Sequence, residues 1–147
     1  MNTGPVLVDV AVKDLSKAAL DWVVGVIEGA TPLADGRLRW LVGGYEVDYT
    51  PGQVNNPYML QHRGYGYCPS TEWRLGGPLL DKYQLDFIFE RIGVIHASPC
   101  KDDGQPVSGV LGEYGQFGET HLIAACRAIV AAKLGVIVKV PALLVLP

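Results

Sequence analysis

The sequence is short of charged residues and has no excess of basic ones. Charged residues make up 18% of its 147 positions, against about 25% in typical soluble proteins. Hydrophobic residues make up 49%, which excludes intrinsic disorder because disordered chains are highly charged and poorly hydrophobic. The net charge of −3 leaves no broad basic surface for a phosphate backbone, so we do not expect direct nucleic-acid binding.

Long apolar runs are also missing. A membrane-spanning helix needs about 20 mostly apolar residues, but the run over 122–134 contains Arg127 and Lys133. The first residues carry no basic segment, and Asp9 interrupts their apolar stretch. The sequence therefore predicts neither a membrane span nor a secretory signal.

Patterns typical of metal or catalytic chemistry are absent from the sequence. Three widely spaced cysteines, an odd number, predict reduced thiols rather than a disulfide framework. The three histidines are scattered, so we expect no metal site and no cofactor. Ser70 has no Gly-x-Ser-x-Gly setting, and no other spacing indicates an enzyme.

Glycine and proline are abundant, with 18 and 10 copies, which predicts many turns and shaped loops. Alternating valines predict a strand over 6–12. A helix follows over 16–28, with Leu20, Val23, Val24 and Ile27 inward and a polar line on its other side made of Lys17, Asp21, Gly25 and Glu28. Strands on both sides of Gly43-Gly44 predict a hairpin over 37–50.

The second half of the chain is predicted to end in a buried helix. We expect a long ordered loop over 51–69 that could include one short strand, and a short helix over 78–83 that starts at Pro78. One or two strands over 85–97 and an irregular region over 98–119 should follow. Thr120 is a natural cap for a helix over 121–134 that is apolar almost all round. A closing strand over 136–140 completes the pattern.

These elements predict one α+β domain over residues 1–147. A small mixed or antiparallel sheet should pack around the buried C-terminal helix and the N-terminal helix, with long ordered loops. The length is that of a single hydrophobic core.

Arg127 is predicted to have apolar neighbours on the last helix. A guanidinium keeps its charge, so it needs a partner or a polar cavity. Its candidate partners are Asp21, Glu72 and Asp81. Three interpretations stay open: a buried structural ion pair, a guanidinium that binds a ligand carboxylate or phosphate, and an arginine that extends to water from the edge of the core.

The segment Ser70-Thr71-Glu72-Trp73 offers two hydroxyls, a carboxylate and an indole. Such groups can hydrogen-bond a polar ligand while the indole stacks on a planar ring. The alternative is that Ser70 caps a helical turn and Trp73 fills the core. We expect Arg127 to lie next to this segment and to form a cavity with it.

Two further segments have both a functional and a structural interpretation. Three glycines before Thr120, namely Gly112, Gly115 and Gly118, could leave backbone amides free to bind an anion. Two glutamates, Glu113 and Glu119, would repel an anion there. The alternative interpretation is a flexible loop. The Tyr-rich segment could form a pocket wall or a partner surface, or an exposed hairpin packed on its own domain; it comprises Tyr58, His62, Arg63, Tyr65 and Tyr67.

Three stretches together resemble a known family. They are LSKAALDWVV at 15–24, PSTEWRLGGPLL at 69–80, and GETHLIAACR at 118–127 with its continuation to Val140-Pro141. In order and content they resemble the NinX-like family of small bacteriophage and prophage proteins, which has no assigned reaction. Glu72 and His121 depart from the residues expected there, Asp and Pro. The resemblance implies a phage origin and action in the host cytoplasm.

The first functional hypothesis is a non-enzymatic binding module for a small polar or anionic ligand that contains a ring. Its expected site consists of Asp21, Arg63, Tyr65, Ser70, Thr71, Glu72, Trp73 and Arg127. Such a module would serve a phage by sequestering a nucleotide-like signal of host defence.

The second hypothesis is a factor that docks on a host or phage protein through the Tyr-rich segment and the apolar C-terminal tail over 140–147. The same tail predicts a homodimer or a higher homo-oligomer.

Overall fold

The computed structural model describes residues 6–33, 35–52, 59–63, 65–99 and 115–145. The helices are α1 (Lys17–Ile27), α2 (Trp73–Lys82) and α3 (His121–Leu134). The strands are β1 (Leu7–Ala11), β2 (Thr31–Pro32), β3 (Leu38–Val42), β4 (Tyr45–Pro51), β5 (Leu60–His62), β6 (Tyr65–Tyr67), β7 (Leu85–Arg91), β8 (Val94–Pro99), β9 (Gln116–Gly118) and β10 (Ile137–Pro141). Two 3₁₀ turns cover Val12–Asp14 and Ala142–Leu144.

The strands form three antiparallel sheets, which confirms the α+β class. Strand β1 pairs with β10, strands β2 to β6 form a five-stranded sheet in chain order, and β7 to β9 form a third sheet. The prediction of one small sheet is therefore too simple. Short turns such as Gly43-Gly44, where both residues have positive φ, keep successive strands adjacent.

Helix α3 is the centre of the core, as its all-round apolar sequence predicts. Most of its side chains are buried, and α1, α2, β8, β9 and β10 all pack against it. Its start is capped as expected, since the Thr120 hydroxyl accepts a hydrogen bond from the Ile123 amide at 3.2 Å. Gly135 ends it with a φ of 93°, a conformation that glycine adopts easily.

Removing the Thr120 cap is expected to cost stability. Thr120→Ala should lower the free energy of unfolding by about 1 kcal/mol, because an amide of the first turn loses its acceptor. Ser16→Ala is the matched control, since the Ser16 side chain makes no capping hydrogen bond to α1. Urea denaturation of both variants measures the difference; equal losses would contradict the assignment of the cap.

Helix α1 differs from the prediction in its polar line. Asp21 and Gly25 are buried, so α1 is enclosed on two sides rather than open to water along that line. A Cβ atom on Gly25 would lie 2.5 Å from Leu38 Cδ1 and 3.1 Å from Tyr67 Cε2. The glycine therefore allows the five-stranded sheet to approach α1 closely at this point.

Helix α2 begins at Trp73, so the prediction of a start at Pro78 is wrong. Pro78 lies inside the helix, and the two glycines before it are helical as well. Gly76 packs against the Pro69 carbonyl and the Leu122 side chain. Tertiary packing thus favours helix where local propensity predicts a break.

The two regions predicted as loops contain short strands. The segment 51–69 includes the hairpin β5–β6, and 98–119 includes β9. Tyr58, Gly112 and Glu113 lie outside the described residues. The apolar tail folds back in part, since Leu144 is buried in the core and the Ala142 amide donates to the Val6 carbonyl at 2.8 Å.

Candidate functional site

Arg127 is half-buried and hydrogen-bonded to main-chain carbonyls. Its Nε donates to the Leu15 carbonyl at 2.9 Å and its Nη1 to the Phe117 carbonyl at 2.8 Å. The prediction of a carboxylate partner is therefore wrong. On α3, Cys126 lies near Asp21. Burial raises the pKa of the Cys126 thiol, and the charge of Asp21 raises it further. The next side chain points about 100° further round the helix, away from that carboxyl.

Among the described residues, no carboxylate directly neutralises the charge of the Arg127 guanidinium. Burial lowers its pKa, and the more distant charges of Glu119 and Asp14 oppose that change. Within the described residues, no carboxylate lies in salt-bridge range of it. Its two acceptors are neutral carbonyls, so a positive potential remains on the surface at this point.

An open cleft of about 350 Å³ lies at this guanidinium. Lys13, Gln116, Phe117 and Glu119 line it with Arg127; we refer to it as the Arg127 cleft. The Phe117 side chain is 51% exposed, and its ring packs edge-on against His96 with centroids 4.9 Å apart. The cleft thus combines two cations, one carboxylate, one amide and one aromatic ring.

The glycines near Thr120 have a structural role at this cleft. Gly115 and Gly118 line it. A Cβ on Gly118 would collide with the backbone of Ala124, so glycine is required for β9 to lie against the first turn of α3.

Asp21 and Ser70 are brought together in the interior. Both residues are 1% exposed, and the Ser70 amide donates to Asp21 Oδ1 at 2.9 Å. Burial raises the pKa of Asp21 to about 7, while hydrogen bonding to Ser70 lowers it in part. The Ser70 hydroxyl faces the same carboxyl but has no well-formed hydrogen bond among the described residues.

The rest of the Ser70-Thr71-Glu72-Trp73 segment is exposed. Trp73 is 59% exposed, so the interpretation that it fills the core is wrong. Glu72, rather than Ser70, occupies the cap position of α2, and its side chain makes no capping hydrogen bond. In the described part of the chain, no hydrogen bond or ion pair joins this segment to Arg127, and none of its residues lines the Arg127 cleft.

The Tyr-rich segment is divided between surface and core. Arg63 lies in the turn between β5 and β6 with a φ of 50°, and Tyr65 is 69% exposed. Tyr67 instead packs against Trp40, with ring centroids 5.4 Å apart. Neither Arg63 nor Tyr65 is among the described residues that line the Arg127 cleft.

Lys13, Gln116 and Phe117 line the cleft but are not among the site residues predicted from the sequence. Lys13 lies in the turn after β1 and the other two lie on β9, so only the fold brings them together. No local pattern identifies them. Only the glycines beside β9 indicated that a site could be present in this part of the chain.

No group of three potential metal ligands occurs among the residues that the structure describes. The longest described helix, α3, has 14 residues, and none of the described helices could span a bilayer.

A sequence profile described as bacteriophage P22 NinX matches residues 11–133. The chain belongs to this family. The match confirms the resemblance inferred from the three stretches, and it indicates a phage accessory protein. It includes Lys13 and Arg127 on the cleft as well as the buried Asp21–Ser70 pair. No curated protein matches the chain.

Proposed function

We propose that this phage protein is a non-enzymatic binding module, active in the host cytoplasm, for a small anionic ligand that contains a planar ring. The ligand binds in the Arg127 cleft. One observation carries the proposal: a half-buried guanidinium, whose acceptors among the described residues are two main-chain carbonyls, lies on an open cleft beside a second cation.

The charge of the ligand follows from the hydrogen bonds of Arg127. A guanidinium has five N–H donors, and two of them are used by Leu15 and Phe117. The others can bind a phosphate or carboxylate, and such charge-assisted hydrogen bonds are strong where water is partly excluded. Lys13 supplies a second positive charge on the same cleft.

The ring of the ligand follows from Phe117. Phe117 lines the cleft and is 51% exposed, so its ring is available for a planar ring to stack on it. Phe117 therefore takes the ring-stacking role that was predicted for Trp73. A volume of about 350 Å³ suits a small ligand, and a nucleotide-like signal of host defence has both required groups.

The Arg127→Gln variant tests the proposal. We expect isothermal titration calorimetry at low salt to show AMP binding to the natural protein and an affinity about 10- to 100-fold lower in the variant, because a charge-assisted contact is lost. Phe117→Ala should weaken AMP binding and leave inorganic phosphate binding unchanged, since phosphate has no ring.

Arg74→Gln is the matched control, because it removes the same charge from an exposed position on α2 outside the cleft. It should bind AMP as the natural protein does. Equal affinities of the Arg74 and Arg127 variants, with both folded by circular dichroism, would refute the site. Native mass spectrometry of protein from infected cells should then show an added mass that Arg127→Gln loses.

A second candidate function is docking on a host or phage protein. The exposed ring of Tyr65 supports it, as do the partly exposed side chains of Leu143 and Val145 in the tail. Exposed aromatic side chains are typical anchors of protein interfaces. A polypeptide that copurifies with the natural protein and is lost with Tyr65→Ala would favour docking. Self-association as a homodimer or higher homo-oligomer also belongs to this proposal.

A further inference from the structure

Strands β1 and β10 form a two-stranded ribbon with one face in the core. Val8 pairs with Val140 and Val10 with Val138, and these four valines pack into the core. Side chains alternate along a strand, so the remaining pairs point outward. This outer face, called the ribbon face, consists of Leu7, Asp9, Ala11, Ile137 and Lys139, while Pro141, which pairs with Leu7, is buried.

The ribbon face has exposed apolar side chains near both ends. Leu7 is 44% exposed and Ile137 is 62% exposed. Ile137 stands between two hollows of about 330 and 350 Å³, one lined by Trp22 and Leu134 and the other by Ala11 and Val136. Such a ridge between apolar hollows is typical of a surface that another protein covers.

A charged pair lies in the middle of the face. Lys139 Nζ and Asp9 Oδ1 are 2.9 Å apart, and both side chains are exposed. An exposed pair of this kind contributes little to the stability of the fold. The pair does place a negative charge on β1 directly beside a positive charge on β10, because Asp9 and Lys139 are register partners.

We infer that the ribbon face binds a second copy of the chain, face to face, about a twofold axis parallel to the strands. This axis places β1 of one copy opposite β10 of the other, so that Asp9 faces the partner's Lys139 and the two charged pairs attract each other. The same axis places Ile137 opposite the partner's Ala11, a large side chain against a small one.

The charge pattern selects this arrangement over its alternative. A twofold axis across the strands would place Asp9 against the partner's Asp9, and like charges oppose association. With the axis along the strands, Asp9 instead meets the partner's Lys139, so opposite charges face each other. Facing sheets pack about 10 Å apart, which these side chains can fill.

This inference rests on the self-association proposed above, and sedimentation equilibrium of the full chain tests both. The natural protein should be a dimer at micromolar concentration. Asp9→Lys and Lys139→Asp should each weaken dimerisation at least about tenfold, because like charges then meet. The double variant with both changes should restore it. Lys82→Glu, which breaks the separate pair of Lys82 with Glu28, is the matched control and should leave the dimer intact.

The possible outcomes distinguish self-association itself from the surface through which it occurs. A natural protein that is only monomeric would overturn both self-association and the assigned surface. A dimer that survives Asp9→Lys and also Ile137→Asp, an exposed position where folding tolerates the change, would overturn the surface alone. Dimer loss in each single variant with recovery in the double variant would support the assigned face and axis.

Discussion

Asp21→Asn is expected to stabilise the protein above neutral pH and to have little effect near pH 4. Asp21 is buried, and its pKa is raised from 3.8 to about 7. The folded chain therefore holds a proton that the unfolded chain releases at lower pH. The free energy of unfolding should fall as the pH rises from about 4 to about 7, by about 4 kcal/mol at most.

The asparagine variant removes this dependence because its side chain has no charge to bury. Its amide oxygen can still accept the hydrogen bond that the Ser70 amide now donates to Asp21 Oδ1. The measurement is urea unfolding at pH 5, 6, 7 and 8, with the difference between variant and natural protein plotted against pH. That difference should grow up to about pH 7 and then level off.

Asp86→Asn is the control for general charge effects, because Asp86 is exposed on β7. It should shift stability little at any pH, since exposed charges interact weakly. Two results would show that the buried carboxyl does not titrate as the structure implies. One is a stability difference between Asp21→Asn and the natural protein that is constant with pH. The other is a natural protein that is more stable than the variant at pH 8.

Gly76→Ala is expected to destabilise the fold by about 3 kcal/mol, whereas Gly77→Ala one residue later should stabilise it by about 0.5–1 kcal/mol. A Cβ on Gly76 would collide with the Pro69 carbonyl and lie 2.9 Å from Leu122 Cδ2, and overpacking of this kind forces the backbone apart. A Cβ on Gly77 meets only Trp73 Cε3, at an ordinary 3.5 Å, and alanine favours helix.

The adjacent pair gives an internal control, because both changes add one methyl group to the same helix. Thermal unfolding by circular dichroism should place the two melting temperatures on opposite sides of the natural one. If both variants lose stability equally, the requirement for glycine at position 76 does not come from its close contact with the Pro69 carbonyl.

Much of the framework could be predicted from the sequence. The pattern over 121–134 with its Thr120 cap predicts the bounds of α3 as observed. The Gly43-Gly44 turn predicts the hairpin β3–β4. In each case the signal is local, since a cap, a turn or a periodicity depends on residues that are close in the chain.

The candidate site could not be predicted in the same way. Arg127 is predicted to be a cation that needs partners, but its acceptors are the carbonyls of Leu15 and Phe117, and every residue has a backbone carbonyl. Asp21 is predicted to lie on a polar line of α1, although it is buried. Such outcomes depend on which elements pack together, and one sequence read locally does not contain that information.

The close approach of Gly118 to the backbone of Ala124 has a consequence for recognition in the Arg127 cleft. At Gly118 no side chain separates β9 from the Ala124 backbone, so a movement of this wall toward α3 would displace the central helix. A rigid wall loses little conformational entropy when a ligand binds. We therefore expect the cleft to discriminate by shape and to retain its outline when empty.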